Sequence, residues 1–396
     1  MNIKKFTVIG AGNMGHGIAE LAAIAGFEVW LNDINHEVLK NAINRIKWSL
    51  EKLYEKGNIK ESSEKILDRI HITTNLEYAL EDTDFMVEAV VEDINIKKQI
   101  FSKADIVTSS HSILATNTSS LPISEISSVV KKPERVIGMH FFYPPVLMKL
   151  VEIIKGNKTS ENVVRRTYEI AKILGKEPII IARDIPGFMV NRILFRLYDI
   201  ACYLVENGKA SIEEIDATAI YELGLPLGIF ILQDFTGLDV NYLAMKAMNE
   251  RGYNSYYCLS LENKVKTNQL GVKSGKGFYT YPTPGKFIKP IIPRDKLGKI
   301  NALILISPAI NEAAYLLRNN IASKEEIDKG CKLGLGWPMG VLEIADQYGI
   351  DEVVKTLSTL VSRYELNYLN PDPLLIQMVN ENKLGVKSGK GFYTYS

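Results

Sequence analysis

The sequence predicts an α/β domain built on a mostly parallel sheet, followed by two repeated all-α domains. Three observations support this prediction. Short apolar runs alternate with helical segments up to about residue 183, helical periodicity dominates after Asp184, and a stretch of about 100 residues occurs twice in the second half. With 396 residues, the chain is too long for one ordinary core. Its 46% apolar and 23% charged residues are typical of a globular protein.

The charge and cysteine content exclude several classes of protein. A formal net charge of +1 provides no basic field for nucleic acid or an anionic membrane, and no apolar run approaches the roughly 20 residues that a membrane helix needs. Cys202, Cys258 and Cys331 are widely spaced and form no CxxC pair, which argues against a disulfide framework or a zinc site. Five histidines make a histidine-rich metal site improbable. We therefore expect a cytoplasmic protein with no metal and with no nucleic-acid or membrane partner.

The first elements predict a parallel crossover unit. Residues 6–9 form an apolar run, the glycine loop Gly10–Gly15 follows, and apolar residues recur at helical spacing between residues 18 and 25. Gly26 ends that helix, and residues 27–31 read as a second strand. This β-loop-α-β pattern spans about 30 residues, the size of one crossover unit.

The remainder of the first half continues this alternation. A long helix is predicted from about Glu37 to Lys56, and Gly57 ends it. Helix-like segments separate several further apolar runs that predict strands: Phe85–Val91, Ile113–Thr116, Val136–Phe142, Val151–Ile154 and Ile179–Ala182. Such alternation favours a sheet that is covered by helices on both faces.

An internal repeat organises the second half. The sequence LGVKSGKGFYTY occurs at residues 270–281 and again at 384–395, and ASIEEID at 210–216 matches ASKEEID at 322–328. Four prolines between residues 282 and 293 predict a linker between the copies. We therefore expect an α/β domain over residues 1–183, a first helical domain over 184–282, a linker over 283–298 and a second helical domain over 299–396.

The glycine loop predicts a nucleotide site. Gly10, Gly12 and Gly15 give GxGxxG between a strand and a helix, with Asn13 and Met14 inside the loop. In a Rossmann-type dinucleotide-binding domain, such glycines let the backbone approach a pyrophosphate at the positive helix N-terminus. Asp33, 18 residues after Gly15, would accept hydrogen bonds from ribose hydroxyls and repel a 2′-phosphate, which favours NAD. The alternative is that Asp33 is only a turn or capping residue before the next helix.

A histidine and a glutamate predict acid–base chemistry. His140 lies near the end of a predicted strand and is followed by Pro144 and Pro145, and Glu152 lies near the start of the next strand. A carboxylate beside an imidazole fixes its orientation and raises its pKa, which suits a base that removes an alcohol proton. A histidine among apolar neighbours is otherwise more often a hydrogen-bonded core residue.

Taken together, these motifs resemble those of the 3-hydroxyacyl-CoA dehydrogenase family over essentially the whole chain. The matching pieces, in the family's order, are the N-terminal GxGxxG, Asn117-Thr-Ser-Ser-Leu121, the run from His140 to Glu152, Pro186-Gly-Phe-Met-Val-Asn191-Arg192, and the LGVKSGKGFYTY ends. The resemblance implies an NAD-dependent (S)-3-hydroxyacyl-CoA dehydrogenase that interconverts 3-hydroxyacyl-CoA and 3-ketoacyl-CoA, with a short acyl chain such as 3-hydroxybutyryl as the expected substrate.

The resemblance also implies catalytic roles. His140 corresponds to the family's general base, and Glu152 to the residue that holds it. Ser119 and Asn191 correspond to residues that fix the substrate's hydroxyl and thioester oxygens. Ser119 and Asn191 have structural alternatives, as a helix cap and as a solvent-facing residue of a first helical turn.

Binding roles follow from the same resemblance. Positions that contact the cofactor are Ala89, Glu92, Lys97 and Asn117, in addition to the glycine loop and Asp33. Ser49 and Lys56, on the long helix, match positions that contact the CoA moiety. Asn117 has the alternative of capping a helix, and Ser49 and Lys56 that of an ordinary polar helix face.

Two features depart from the simplest form of the family. Many members carry asparagine where this chain has Tyr143, which puts the shape of the loop after His140 in question. Shifting Asn191 by the repeat offset lands on Leu303, so the second helical copy lacks the asparagine. That copy is expected to be architectural, giving either a monomer with an internal pseudo-dimer or a homodimer.

Two other functions remain open from the sequence. One is a related two-domain dehydrogenase that acts on a free hydroxy acid without CoA, and the other is a non-catalytic protein that keeps the fold for binding. The intact set of His140, Glu152, Ser119 and Asn191 argues against the second of these.

Overall fold

The computed structural model describes residues 3–395. The chain divides after Ile185 into two compact units, and the second unit contains both copies of the repeat. The boundary falls two residues beyond the end of the predicted α/β domain. The finer division into two separate helical domains stays a prediction.

The first unit contains an eight-stranded sheet with the order β3-β2-β1-β4-β5-β6-β7-β8. All neighbouring strands are parallel except β6 and β7, which run antiparallel. The strands are β1 Lys5–Ile9, β2 Glu28–Asn32, β3 Ile70–Thr73, β4 Phe85–Glu88, β5 Ile113–Thr116, β6 Val136–Phe141, β7 Leu150–Ile154 and β8 Glu177–Ile181. Strand β3 was missed by the sequence prediction because this edge strand lacks a continuous apolar run.

Seven helices belong to the first unit among the described residues: α1 Gly15–Ile24, α2 His36–Glu55, α3 Ser63–Leu67, α4 Leu76–Leu80, α5 Ile94–Val107, α6 Ile123–Ile126 and α7 Glu161–Ile173. The long helix α2 shows why they form. Leu39, Ala42, Ile46 and Leu50 recur every three or four residues and are buried, so one stripe of the helix faces the sheet. The Asn35 side chain caps its N-terminus.

The strand order predicts a ligand site at one edge of the sheet. Strands β4, β5, β6 and β7 are buried along their whole length, as expected for a parallel sheet with helices on both faces. Successive strands are added toward one edge of the sheet from β1 to β3 and toward the other edge from β4 to β8. The strand order therefore reverses between β1 and β4, which are parallel, hydrogen-bonded neighbours. Ligands of open α/β sheets bind outside the carboxyl ends of the strands at such a switch point.

The second unit is helical. Its helices are α8 Val190–Glu206, α9 Ile212–Tyr221, α10 Ile229–Thr236, α11 Leu238–Asn249, α12 Leu259–Lys266, α13 Ala302–Arg318, α14 Lys324–Gly334, α15 Val341–Tyr348, α16 Ile350–Tyr364 and α17 Pro373–Asn380. Helices α8 to α12 correspond one by one to α13 to α17, so the sequence repeat is also a structural repeat. The fold class predicted from the sequence is therefore confirmed.

A buried aspartate in each copy binds the C-terminal segment of that copy. In the first copy, the Asp234 carboxylate accepts hydrogen bonds from the backbone N–H groups of Phe278 and Tyr279 and from the Tyr281 hydroxyl. In the second copy, Asp346 accepts the equivalent three bonds. This pairing explains why the GKGFYTY sequence is repeated, since its backbone and tyrosines satisfy a buried carboxylate.

The two copies meet through reciprocal contacts. Helices α8 and α13 pack against each other. A Cβ added at Gly224 would lie 3.4 Å from the Pro338 side chain, and one added at Gly336 would lie 3.5 Å from Pro226. Residue i of one copy meets residue j of the other and the reverse, as in a two-fold interface.

The predicted linker is attached to the first copy. The carbonyl of Ile292 accepts a hydrogen bond from the Tyr221 hydroxyl, and the Lys289 ammonium donates to the Pro226 carbonyl. Ile292 is buried, and the Phe287 ring packs near that of Phe235. These contacts hold an irregular segment in place although it has no long helix of its own.

The expectation that the cysteines form no disulfide is wrong. Cys202 on α8 is joined to Cys258, which directly precedes α12, across 56 residues of sequence. Sequence spacing could not show this, because only the tertiary contacts of residues 256–260 with α8, such as those of Tyr256 and Ser260 with Glu206, bring the two cysteines together. The cysteines therefore no longer favour a reducing compartment. Among the described residues, no helix is long and apolar enough to cross a membrane.

A buried acid makes the stability of the first unit depend on pH. Burial raises the pKa of Glu20, on α1, to about 7, and the Ser49 hydroxyl offsets this only partly. Between the ordinary carboxyl pKa and pH 7 the folded state therefore binds more protons than the unfolded state, so stability falls as the pH rises.

We expect Glu20→Gln to remove this dependence. The difference in the free energy of unfolding between variant and wild type should be roughly 2 kcal/mol more in the variant's favour at pH 8 than at pH 5. Urea unfolding at both pH values measures the difference. An equal effect of the substitution at the two pH values would contradict the assignment.

Candidate active site

The glycine loop has the geometry of a pyrophosphate cradle. Gly10 has φ +96°, and an added Cβ would lie 2.6 Å from the Ala89 carbonyl oxygen. At Gly15, the first residue of α1, a Cβ would lie 1.7 Å from the Gly10 carbonyl oxygen. At Gly12 a Cβ would meet no protein atom within 4 Å. Gly10 and Gly15 are therefore required by packing, whereas Gly12 leaves open space beside a helix N-terminus.

Asp33 shapes this loop and lies directly after β2. Its Oδ2 accepts a hydrogen bond from the Ala11 N–H at 2.9 Å, and its Oδ1 accepts one from the Asn35 N–H at 3.0 Å. The half-buried Asp33 carboxylate therefore has the turn role that the sequence left open, and its contact with a ribose stays a prediction. The loop residue Asn13 accepts a hydrogen bond from the Arg45 guanidinium, and Met14 is the residue before α1.

A buried ion network underlies the ends of β4 and β5. The Lys97 ammonium lies 2.7 Å from Glu88 Oε1 and 3.3 Å from Glu92 Oε2, and Lys97 is 1% exposed. Burial acts to raise the pKa of Glu92, but Lys97 and several hydrogen bonds outweigh it and hold that pKa below its usual range. The network fixes the 89–92 segment, which contains two of the residues predicted to contact the cofactor.

Glu92 also holds the loop that contains Ser119. Its Oε1 accepts hydrogen bonds from the backbone N–H groups of Ser119 at 3.0 Å and Ser120 at 3.1 Å. Asn117 connects neighbouring strands: its N–H donates to the Glu88 carbonyl, and its Oδ1 accepts from the Phe141 N–H at 2.8 Å. Asn117 and Ser119 therefore lie at the same edge of the sheet as the glycine loop.

His140 and Glu152 face each other across the only antiparallel strand pair of the described sheet. They are register partners on β6 and β7, and His140 Nδ1 lies 2.7 Å from Glu152 Oε2. His140 is 6% exposed and Glu152 is fully buried. A carboxylate at Nδ1 favours the tautomer with the proton on Nδ1, which leaves Nε2 as a proton acceptor. The predicted base and orienting residue are thus brought together.

The loop after His140 is held by a lysine that the sequence prediction missed. The Lys176 ammonium donates to the carbonyls of Pro145 at 2.5 Å and Met148 at 2.9 Å, and burial lowers its pKa to about 8. Pro145 also lies 3.2 Å from a Cβ added at Gly17 on α1. Tyr143 is 56% exposed at the start of this loop. Lys176 follows a helix end and carries no motif, so no sequence pattern could have identified it.

Ser49 and Lys56 share one face of α2, since they are seven residues apart. Ser49 is half-buried and lies beside Glu20, and Lys56 is exposed at the C-terminal end of the helix. Their predicted contact with CoA stays a prediction.

Asn191 lies in the second unit, in the first turn of α8, and is half-buried. The residues before it turn sharply, with φ +75° at Gly187 and φ +52° at Phe188. Its role as an oxygen-binding residue stays a prediction.

These features define a dinucleotide-dependent dehydrogenase: a glycine cradle at the switch point of a parallel sheet, and an oriented imidazole at the same sheet edge. The residues fit an NAD molecule because the space beside Gly12 is open and an acid follows β2.

The chain belongs to the 3-hydroxyacyl-CoA dehydrogenase family. The NAD binding domain of that family matches residues 5–185, and its C-terminal domain matches residues 187–281 and again 304–395. The family and the cofactor expected from the sequence are thereby confirmed, and the C-terminal domain matches each copy of the repeat.

Individual relatives agree with this assignment. A probable 3-hydroxybutyryl-CoA dehydrogenase of Bacillus subtilis is 42% identical over 71% of this chain and 98% of that protein. The human mitochondrial hydroxyacyl-coenzyme A dehydrogenase is 38% identical over 70% of this chain and 91% of that protein. The crystal structure of an Escherichia coli 3-hydroxybutyryl-CoA dehydrogenase is 27% identical, with a TM-score of 0.86, and the match covers 96% of this chain and 99% of that chain.

The cradle predicts how glycine substitutions separate binding from folding. Gly12→Val should leave the melting temperature close to that of wild type, because its side chain meets no protein atom, and should raise the Kd for NADH at least roughly tenfold. Gly15→Val should instead fail to fold, because of the clash with the Gly10 carbonyl. Fluorescence titration with NADH and thermal melting distinguish the two effects, and unchanged NADH affinity in Gly12→Val would place the pyrophosphate elsewhere.

Proposed function

We propose that this protein is an NAD-dependent (S)-3-hydroxyacyl-CoA dehydrogenase that acts on short acyl chains. The observation that carries the proposal is the pairing of His140 with Glu152 at the sheet edge that holds the glycine cradle, in a chain of this family. The match of both family domains in order supports a catalytic function over a purely structural one.

The chemistry assigned to the chain's residues is proton transfer and orientation. His140 Nε2 accepts the proton of the substrate's C3 hydroxyl, and Glu152 stabilises the imidazolium that forms. NAD, when bound, supplies the acceptor for the C3 hydride. Ser119 and Asn191 are proposed to hold the hydroxyl and thioester oxygens, so that the proton lies within reach of the base.

We propose that the CoA moiety contacts the α2 face that contains Ser49 and Lys56. Lys56 is exposed and can place an ammonium against a phosphate, whereas Ser49 offers a hydroxyl from a half-buried position. The names of the relatives, which include 3-hydroxybutyryl-CoA and hydroxyacyl-CoA dehydrogenases, support a CoA thioester over a free acid.

A cavity in the second unit supports the proposed preference for short acyl chains. It has a volume of about 110 Å³ and is lined by apolar residues of both copies, including Leu194 and Tyr198 of α8 and Trp337 of the second copy. Leu194 and Tyr198 follow Asn191 by three and seven residues and so share its helix face. An apolar cavity of about 150 Å³ holds a benzene ring, so this one has room for only a few carbon atoms.

We further propose a cytoplasmic protein whose two helical copies form an internal pseudo-dimer within a monomer, with a homodimer as the alternative. The reciprocal contacts between Gly224 and Pro338 and between Gly336 and Pro226 support the internal pairing. Acyl-CoA is the proposed partner, and no nucleic acid or membrane is expected.

The first test compares thioester and free acid. Wild-type protein should oxidise NADH with acetoacetyl-CoA and not with free acetoacetate. His140→Ala should lower kcat by roughly 10²- to 10⁴-fold, the usual contribution of a general base. Glu152→Gln should also lower kcat, because the amide cannot stabilise an imidazolium. The rate of decrease of the NADH absorbance measures turnover.

Equal turnover of free acetoacetate would favour the dehydrogenase that acts on a free acid. No turnover of either compound, with NADH binding intact, would favour the non-catalytic alternative. A fully active His140→Ala would remove the proposed base.

The cavity predicts the chain-length preference. Trp337→Ala should raise the ratio of kcat/KM for 3-ketooctanoyl-CoA over acetoacetyl-CoA at least roughly tenfold, because removing the indole enlarges the apolar space. Trp30→Ala is the matched control, since Trp30 lies on β2 outside the second unit, and a change common to both thioesters leaves the ratio unaltered. An unchanged ratio in Trp337→Ala would show that the acyl chain binds elsewhere.

A further inference from the structure

A buried cluster of charges joins the two helical copies. Arg192 and Arg196 belong to α8 of the first copy, and Glu312 belongs to α13 of the second. All three are at least nine-tenths buried, with exposed fractions of 8%, 7% and 5%. Because a buried charge costs several kcal/mol unless it is paired, such a cluster needs a reason beyond simple packing, which apolar residues would provide equally well.

Glu312 bridges the two guanidiniums. Its Oε1 lies 2.7 Å from Arg192 Nε, and its Oε2 lies 2.9 Å from Arg196 Nε. Burial acts to raise the pKa of Glu312, but the two guanidiniums outweigh it and hold that pKa below its usual range. Glu312 is therefore a carboxylate that receives a charge-assisted hydrogen bond on each oxygen.

Arg192 connects Glu312 to the segment that leads to Asn191. Its Nη1 donates to the Pro186 carbonyl at 3.2 Å, and its own carbonyl accepts from the Tyr253 hydroxyl at 3.0 Å. The Pro186 carbonyl begins the sharp turn through Gly187 and Phe188. The segment is thus fixed at its start by Arg192 and at its end by the first turn of α8.

The cluster is not a product of the duplication. With the repeat offset of 112, Arg192 corresponds to Ile304, Arg196 to Pro308 and Glu312 to Ile200. An interface that served assembly alone would be expected to occur twice by the internal symmetry. This cluster occurs once, and its cations lie in the copy that contains Asn191.

We propose that Glu312 of the second copy is a positioning residue for the reaction: through Arg192 it holds the Pro186–Asn191 segment of the first copy in its productive geometry. The proposal rests on the proposed function, in which Asn191 holds a substrate oxygen. It assigns the second copy a role in turnover although that copy has no asparagine of its own.

The test uses the full chain with Glu312→Gln and, as a matched control, Asp372→Asn. Asp372 pairs with Arg318 within the second copy and is buried to a similar extent. Glu312→Gln should lower kcat for acetoacetyl-CoA roughly ten- to hundredfold, the effect of displacing a substrate-positioning group by about 1 Å. The KM for NADH should remain unchanged, because the cradle lies in the first unit. Asp372→Asn should keep kcat within about twofold, whatever its melting temperature.

A second variant keeps the test independent of folding. Arg192→Lys retains the charge but cannot bond both Glu312 and Pro186 in the same geometry, so it should show the same loss of kcat. The double variant should lose little more than either single variant, because both act on one interaction. If Glu312→Gln does not fold, Arg192→Lys alone decides the matter.

Three outcomes are distinguishable. Loss of kcat in Glu312→Gln and Arg192→Lys, with the control active, supports the proposal. Lowered melting temperature with kcat retained in both would overturn it and leave a structural role only. Absence of thioester turnover in wild-type protein would instead refute the proposed function on which the inference rests.

Discussion

The first unit depends on one geometric constraint: parallel strands end at the same edge of the sheet. Because β1 and β4 are neighbours at the point where the strand order reverses, the glycine loop and Ala89 come into contact. Asn117 follows β5 at the same edge, and His140 lies near the end of β6. Residues more than 100 positions apart in sequence are therefore assembled by the hydrogen-bonding order of the strands alone.

Buried charges connect separate elements in both units. Lys97 connects Glu88 and Glu92, and Glu92 in turn holds the backbone of the loop that contains Ser119. In the second unit, Glu312 connects two arginines of the other copy. Replacing such networks with apolar residues is often neutral or stabilising, so their value lies in the directional hydrogen bonds they impose.

The two copies of the repeat share some interactions and differ in others. Both copies keep the aspartates that satisfy the GKGFYTY backbone, since Asp234 and Asp346 make equivalent hydrogen bonds. Where the copies face one another, the Gly224–Pro338 and Gly336–Pro226 contacts are reciprocal, but the charge cluster is not, because the first copy provides both arginines and the second provides the glutamate. Shared residues thus maintain the fold, and the differing residues include those that form the charge cluster between the copies.

The sequence by itself determined the fold class, the repeat, the glycine cradle, Asp33 and the candidate pair of His140 and Glu152, because each depends on local periodicity, backbone sterics or a motif of fixed spacing. Only the tertiary structure decided that β6 and β7 pair antiparallel with these two residues in register, that Lys176 supports the loop after His140, and that Cys202 meets Cys258. It also decided that Glu312 bridges two arginines of the other copy. Those contacts join residues from separate elements, and their partners are set by packing, which leaves no regular spacing in the sequence.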